Sequence, residues 1–306
     1  MQHEGETVMS KLYELKKTIR FFLRRLLDVK ENETVKSAIE RKKLHIIKKI
    51  DKRKVSMASF RRLINKAGIK EGDTIIIHCA WRGCYSLDMS PDDVIGCFKE
   101  CVGADGLVLM PAYGNSREVL DIKNTKSAAG VLSEAFRIMD GVYRSKQPHF
   151  SMCAWGKDAS DICSGHEKCK YSFDSFSPYY KAIHNRKAKV VLIGLDKRSV
   201  KTPIYHLAAV ESIGKSEMYK NIYDTSECGR VIDENGEEIK VKYLVRNKNF
   251  LNDDKIFLKL LSEVKPVDIR VAGFSMVVID GMKLYQRVLQ YCVNQGKIYR
   301  HVISVI

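Results

Sequence analysis

The residue best placed for chemistry is His206. The run Lys189-Val-Val-Leu-Ile193 reads as a strand closed by Gly194, a short loop follows, and Thr202-Pro203 opens a helix. His206 then falls in the first turns of that helix, at the mouth where open α/β sheets gather ligands. A neutral imidazole, with an unperturbed pKa of about 6.5, suits the removal of a proton from an attacking nucleophile. Read without chemistry, the same residue is a histidine packed beside Tyr205 and Leu207. A second constellation, Cys163-Ser-Gly-His166-Glu-Lys-Cys169, resembles a metal knuckle. It supplies three ligands at most, whereas structural zinc takes four, so it reads as a surface loop and no metal site is expected.

The elements that must position His206 follow from apolar runs bounded by turn residues: Thr74-Ile-Ile-Ile-His78, Gly106-Leu-Val-Leu-Met110, Lys189 to Ile193 and Met276-Val-Val-Ile279. Short continuous runs of this kind suit strands covered on both faces, as in a mostly parallel sheet flanked by helices. Ser59 to Ala67 reads as a short helix stopped at Gly68. Ser90-Pro91-Asp92-Asp93 supplies an N-cap, a proline at the first helical position and acid in the first turn. Ser177-Pro178 and Thr202-Pro203 repeat that device. Ile232 to Val241 reads as a β-hairpin on the Asn235-Gly236 turn, a small insertion in an α/β fold.

The chain has 306 residues, of which 45% are hydrophobic and 29% charged, enough for one large α/β core. No apolar run is long enough to span a membrane, and no secretory leader opens the chain. The nine cysteines are scattered, several in apolar runs, which fits reduced thiols in a cytoplasm. The net charge of +16 is uneven: residues 1–70 hold 20 Lys+Arg against 8 Asp+Glu, and the rest of the chain is only mildly basic. Residues 1–55 therefore form a basic helical extension to a domain over 56–306. Between Leu12 and Val29 the apolar positions Leu12, Leu15, Ile19, Phe22, Leu26 and Val29 recur at helical steps with Lys and Arg between them. A stripe of this kind packs on the body or on a second subunit, as in a homodimer, or docks residues 12–54 on the inner face of an anionic membrane. Nucleic-acid binding is disfavoured, because no reading motif or aromatic platform accompanies the charge.

Glycine fingerprints for dinucleotides, the phosphate-binding P-loop and the Gly-x-Ser-x-Gly nucleophile turn do not occur. A series of other blocks does. Lys70-Glu-Gly-Asp73-Thr-Ile-Ile-Ile-His78-Cys-Ala-Trp-Arg-Gly83 is followed by Val102-Gly-Ala-Asp-Gly106-Leu-Val-Leu-Met-Pro111 and Thr125-Lys-Ser127-Ala-Ala-Gly130-Val-Leu-Ser-Glu134. Arg144-Ser145-Lys-Gln-Pro148-His-Phe-Ser151, Phe176-Ser177-Pro178, Val190-Val-Leu-Ile-Gly194 and His206 come next, and Val271 to Tyr299 close the series. In this order the blocks resemble the aminoglycoside 3-N-acetyltransferase family over roughly residues 56–306.

That resemblance implies an α/β acyltransferase with acetyl-CoA as donor, an amino group of an amino sugar as acceptor, and His206 as general base with Thr202 beside it. It places His78, Cys79, Ala80, Trp81 and Arg82 along the pantetheine arm, where backbone amides would hold the thioester carbonyl, and it makes Ser151 a further polar contact. Tyr113 and Asp174 are its candidates for contact with the acceptor. The glutamate that the family usually carries three residues after this histidine is Ala209 here. Glu211 lies five residues on, about 140° around the helix, so Glu211, Asp196 or Asp174 is left to orient the ring. Phe150-Ser151 resembles members found among surface-polysaccharide genes rather than those of antibiotic resistance. With few carboxylates near the expected site, a nucleotide- or lipid-linked amino sugar fits better than a polycationic aminoglycoside. The competing reading is a member that transfers another acyl group, or one that is catalytically silent and binds a membrane or partner. Ala209 is the feature in favour of the silent member.

Overall fold

The computed structural model describes residues 18–19, 21–30, 35–215, 217–294 and 296–301. The chain divides into two compact units, Met1–Arg53 and Lys54–Ile306. In the first, the expected helix over Leu12–Val29 lies partly outside the described residues; residues 21–26 are helical, and α1 (Val35–Ile50) follows. Lys42 Nζ donates to the Leu26 carbonyl at 2.9 Å, and Arg41 donates to Asp28 O at 2.6 Å.

The second unit is built on a seven-stranded sheet. Its strands are β1 (Thr74–Cys79), β2 (Leu107–Pro111), β4 (Tyr143–Arg144), β5 (Met152–Gly156), β6 (Lys189–Ile193), β10 (Val267–Val271) and β11 (Phe274–Asp280), in spatial order β10-β11-β6-β1-β2-β5-β4. Only the central trio β6-β1-β2 is parallel; β5, β4, β11 and β10 join antiparallel. The sheet is therefore mixed, and the parallel character expected of most of it is confined to its centre. The reason is local. Val271 and Phe274 are joined by the tight turn Ala272-Gly273, both at positive φ, so β10 must fold straight back on β11. The short β4-to-β5 connection likewise leaves no room for a crossover helix.

Side-chain alternation divides the sheet's two faces between two cores. Ile75, Ile77, Val108, Met110, Val191 and Ile193 pack with Phe60 and Ile64 of α2 (Met57–Lys66), Val94, Ile95 and Phe98 of α3 (Pro91–Val102), and Leu132 and Phe136 of α4 (Val131–Arg137). Ile76, Leu107, Leu109, Val190, Leu192 and Val277 face the other way. They meet α5 (Ala159–Cys163), α6 (Pro178–Arg186), α7 (Lys201–Ser212), α9 (Asp254–Glu263) and α10 (Gly281–Val293). The short α8 (Glu217–Lys220) packs Tyr219 into this second core. Capping follows the sequence: Ser90 and Asp93 form a reciprocal capping box around Pro91, and the Ser177 hydroxyl accepts from Tyr180 N.

The hairpin expected over Ile232–Val241 is longer than its turn suggested: β7 (Thr225–Ile232) pairs with β8 (Glu238–Val245), and β3 (Val119–Asp121) joins β7 in parallel. Its inner face buries Val231, Val241, Tyr243 and Val245 against Leu120 and Ile122. A last pair, β9 (Phe250–Asn252) with β12 (Tyr299–His301), lies antiparallel. No helix among the described residues is long and apolar enough to cross a membrane.

Candidate active site

The carboxyl ends of β1, β2 and β6 open into one region, and two glycines let their loops meet there. A Cβ on Gly83 would come within 2.3 Å of the Gly194 carbonyl oxygen, and Gly194, at φ +62°, would meet Ala80 O at 2.6 Å. The loops after β1 and β6 are therefore in backbone contact. Beside them lies a cavity of about 420 Å³, lined in part by His78, Cys79, Tyr113, Tyr179, Ser199 and Thr202. A second cavity of about 240 Å³ shares Phe150 and Thr202 with it and is lined by His206, His149, Tyr223, Arg117, Arg246 and Asn252 among others. No carboxylate lines either one among the described residues.

His206 stands in the second turn of α7, buried at 4% exposure, with Nε2 lacking a hydrogen-bond partner among the described residues. Three rings hold it in place of an acid: Tyr223 at 4.4 Å, Phe173 at 5.2 Å and Phe150 at 6.5 Å between centroids. Burial, then the nearby His149 and Arg246, push its pKa well below the ordinary imidazole value, so the ring is neutral at pH 7. A buried histidine that lines a polar cavity and keeps a ring nitrogen unpartnered is the arrangement expected of a group whose partner is a ligand.

Thr202 sits inside the first turn of α7 rather than at its N-cap. The helix begins at Lys201 directly after a 3₁₀ turn, Lys197–Val200, which Asp196 caps by accepting from Arg198 N. Freed from capping, Thr202 lines both cavities and its Oγ1 accepts from Asn252 Nδ2 at 2.9 Å. His78 Nε2 lies 3.2 Å from the Tyr179 hydroxyl, and burial lowers its pKa to about 4. Cys79 Sγ is 4.0 Å from Cys84 Sγ, its pKa raised by that contact and by burial, so it is no nucleophile. Tyr113 lines the larger cavity, its ring edge-on to Phe150 at 6.2 Å. The loop bearing it is pinned by the buried Arg144 guanidinium, which donates to the carbonyls of Ala112, Ile122 and Thr125.

Other expected positions fall elsewhere. Trp81 packs against the first core, Arg82 is exposed, and neither lines a cavity. Ala80 N is engaged by Ile193 O and Gly83 N by Ala80 O, so two amides expected to face a thioester serve the loop instead. Ser151 is fully buried, its hydroxyl donating to Ala112 O at 2.9 Å between β2 and β5, out of reach of a ligand. Glu211 is turned to the Tyr285 hydroxyl and lines neither cavity. Asp174 accepts from the backbone amides of Tyr171 and Phe176 and shapes the turn before α6. Among the described residues no carboxylate thus orients His206, and the aromatic cage takes that role. The Cys163–Cys169 segment runs at the surface, with Ser164 and Lys168 exposed, but both thiols are buried, and His166 between them bonds Ser145 Oγ at 2.7 Å and Ser172 O at 3.0 Å.

His149, Phe173, Tyr223, Arg246, Asn252 and Tyr299 escaped the sequence reading. Arg246 directly follows β8 and Asn252 ends β9, and only the Asn235-Gly236 turn hinted that a β insertion stood near the site.

The family pattern described as "Aminoglycoside 3-N-acetyltransferase" matches residues 76–265. The SPbeta prophage-derived aminoglycoside N(3')-acetyltransferase-like protein YokD of Bacillus subtilis (strain 168) is 26% identical over 166 residues, 46% of this chain; the match spans 60% of that relative's length. The solved structure described as "AAC-VIa bound to Sisomicin" superposes with a TM-score of 0.67 at 18% identity, covering 79% of this chain and 99% of that one. "AAC-IIIb binary with CoASH" gives 0.65 at 18%, covering 79% and 97%.

Proposed function

This chain belongs to the aminoglycoside 3-N-acetyltransferase family, and on that premise we propose that it is a cytoplasmic, acetyl-CoA-dependent N-acetyltransferase acting on an amino sugar, with His206 as general base. The observation that carries the reading is buried His206, which lines a polar cavity and whose Nε2 has no hydrogen-bond partner among the described residues.

The larger cavity suits the donor. Its lining carries no charged side chain beyond neutral His78, and Tyr113, Ser199 and Thr202 offer hydroxyls to the amides of an uncharged pantetheine arm. A relative solved with CoASH supports that assignment. When bound, acetyl-CoA supplies the acyl thioester that the amine attacks. Thr202, common to both cavities, stands where acyl group and amine would meet. His206 faces the smaller cavity, so the acceptor amine belongs there. Its low basicity is no obstacle: nitrogen becomes acidic as it bonds to carbon, and a weak neutral base then takes the proton on its imidazole. Tyr223 and Phe173 hold the ring in one orientation and keep water from it.

The test is thiol release from acetyl-CoA over a panel of amino sugars and aminoglycosides. His206→Ala should abolish turnover while coenzyme A still raises the melting temperature. Undiminished turnover in that variant would remove His206 from the reaction. Ala209, where the family usually has glutamate, favours one other reading, a silent member that binds without catalysis. Absence of transfer by the wild type to any amine would support it. For residues 12–54 the exposed Ile19, Phe21, Phe22 and Leu26 support peripheral contact with an anionic membrane.

A further inference from the structure

The smaller cavity is electropositive, and one of its charges has no counter-charge among the described residues. Arg117 on its wall is neutralised by Glu227 at 2.8 Å. Arg246 makes no ion pair among the described residues. Its guanidinium lies over the Tyr299 ring, 5.3 Å from the centroid, and one N–H donates to Asn252 Oδ1. A guanidinium has five N–H donors in a planar fork, so most of Arg246's capacity is unengaged. The Asn252 amide is tied in turn to Thr202, and Tyr299 is tied to Tyr223 by a 2.6 Å hydroxyl contact. Tyr223 in turn packs at a tilt against His206, 4.4 Å between centroids. The cation is thus fixed on a rigid frame that also carries the general base, across a cavity with no carboxylate in its wall.

A polycationic acceptor would meet like charge here and find no counter-charge. Resting on the acetyltransferase reading above, we propose that the acceptor is an anionic amino sugar, carrying a phosphate or carboxylate that Arg246 grips bidentately while its amine faces His206. Planar recognition of an oxyanion is the task for which arginine is suited over lysine.

The experiment compares a hexosamine phosphate, an amino-uronic acid, the unsubstituted hexosamine and an aminoglycoside as acceptors, in wild type, Arg246→Met and Arg246→Lys. Charged hydrogen bonds of this type are worth roughly 10- to 100-fold in affinity. Arg246→Met should raise KM for the anionic acceptors by roughly that factor, and by clearly more than it raises KM for the neutral hexosamine or for acetyl-CoA. Arg246→Lys should recover part of the loss. The two anionic arms show whether phosphate or carboxylate is the ligand. A rise in KM for acetyl-CoA alone would assign Arg246 to the donor's phosphates and overturn the proposal, as would turnover of the aminoglycoside above that of both anionic sugars. Calorimetric binding of the hexosamine phosphate and the amino-uronic acid to both folded proteins gives a readout independent of turnover. Binding that is lost in Arg246→Met sustains the proposal even if no acyl transfer occurs, and failure of both to bind wild type defeats it.

Discussion

Replacing His206 by Phe should separate the two roles a buried ring can have. Phenylalanine keeps the aromatic contacts with Phe173 and Tyr223 and removes the nitrogen that has no partner. A buried polar atom left unpaired costs about 1–3 kcal/mol, and an apolar group of similar shape does not bear that cost. Overpacking by the larger ring offsets part of the gain, although the adjoining cavity of about 240 Å³ offers space. A net gain of about 1–2 kcal/mol is expected, which in a domain of this size raises Tm by roughly 2–6 °C. Acetyl transfer should fall by about 10²- to 10⁴-fold, the usual contribution of a general base. Calorimetry in the absence of ligand, together with initial-rate thiol release, reads both quantities. A melting temperature lowered by several degrees would mean that the imidazole holds the core by a polar contact. A rate within tenfold of wild type would mean that it is not the base. Either result refutes the reasoning, and a stable, inactive protein is the signature of a residue kept for chemistry at the expense of stability.

Three further outcomes follow from other parts of the molecule. Burial lowers the pKa of His166 to about 4, so below about pH 6.5 the unfolded chain binds a proton that the folded one refuses. Its stabilising contribution is therefore complete above that pH and lost progressively towards pH 4, about 2 kcal/mol by pH 5; denaturant titrations of wild type and His166→Gln should diverge in slope against pH over that window. Gly83→Ala should force apart the loops after β1 and β6, lowering stability by about 1–3 kcal/mol and raising KM for acetyl-CoA more than KM for the acceptor. Removal of residues 1–53 should leave acetyl transfer within about twofold and abolish salt-sensitive co-sedimentation with anionic vesicles; retained co-sedimentation would place the lipid contact on the larger unit.

The sequence showed most of what builds the scaffold, because apolar runs and caps act locally. The strands at Thr74, Gly106 and Lys189, the box at Ser90 and the Asn235-Gly236 turn could each be read from a handful of neighbours. His206 was legible for the same reason, as a histidine one turn beyond Pro203. Its surroundings were not. The cage around it joins Phe150 and Phe173 from separate loops with Tyr223 from the segment before the hairpin, contacts that no local pattern encodes. Thr202 looked like a cap because Thr-Pro commonly is one; the preceding 3₁₀ turn took that role and left its hydroxyl to the cavities. Ser151 and Glu211 failed as site residues because each found a nearer hydrogen-bond partner in the folded chain.

The backbone contact between Gly83 and Gly194 also bears on when the proposed site is assembled. β1 pairs with β2 across some thirty residues, Ile75 with Val108, but its other neighbour arrives from far along the chain, Ile75 with Lys189. Closing the longer loop is entropically costlier, so the first pairing can form early and the second late. Until β6 docks, the two glycine loops are apart and α7 has no fixed place to hold its imidazole. Regain of activity on refolding should therefore lag behind regain of secondary structure, making turnover a clock for the last long-range step.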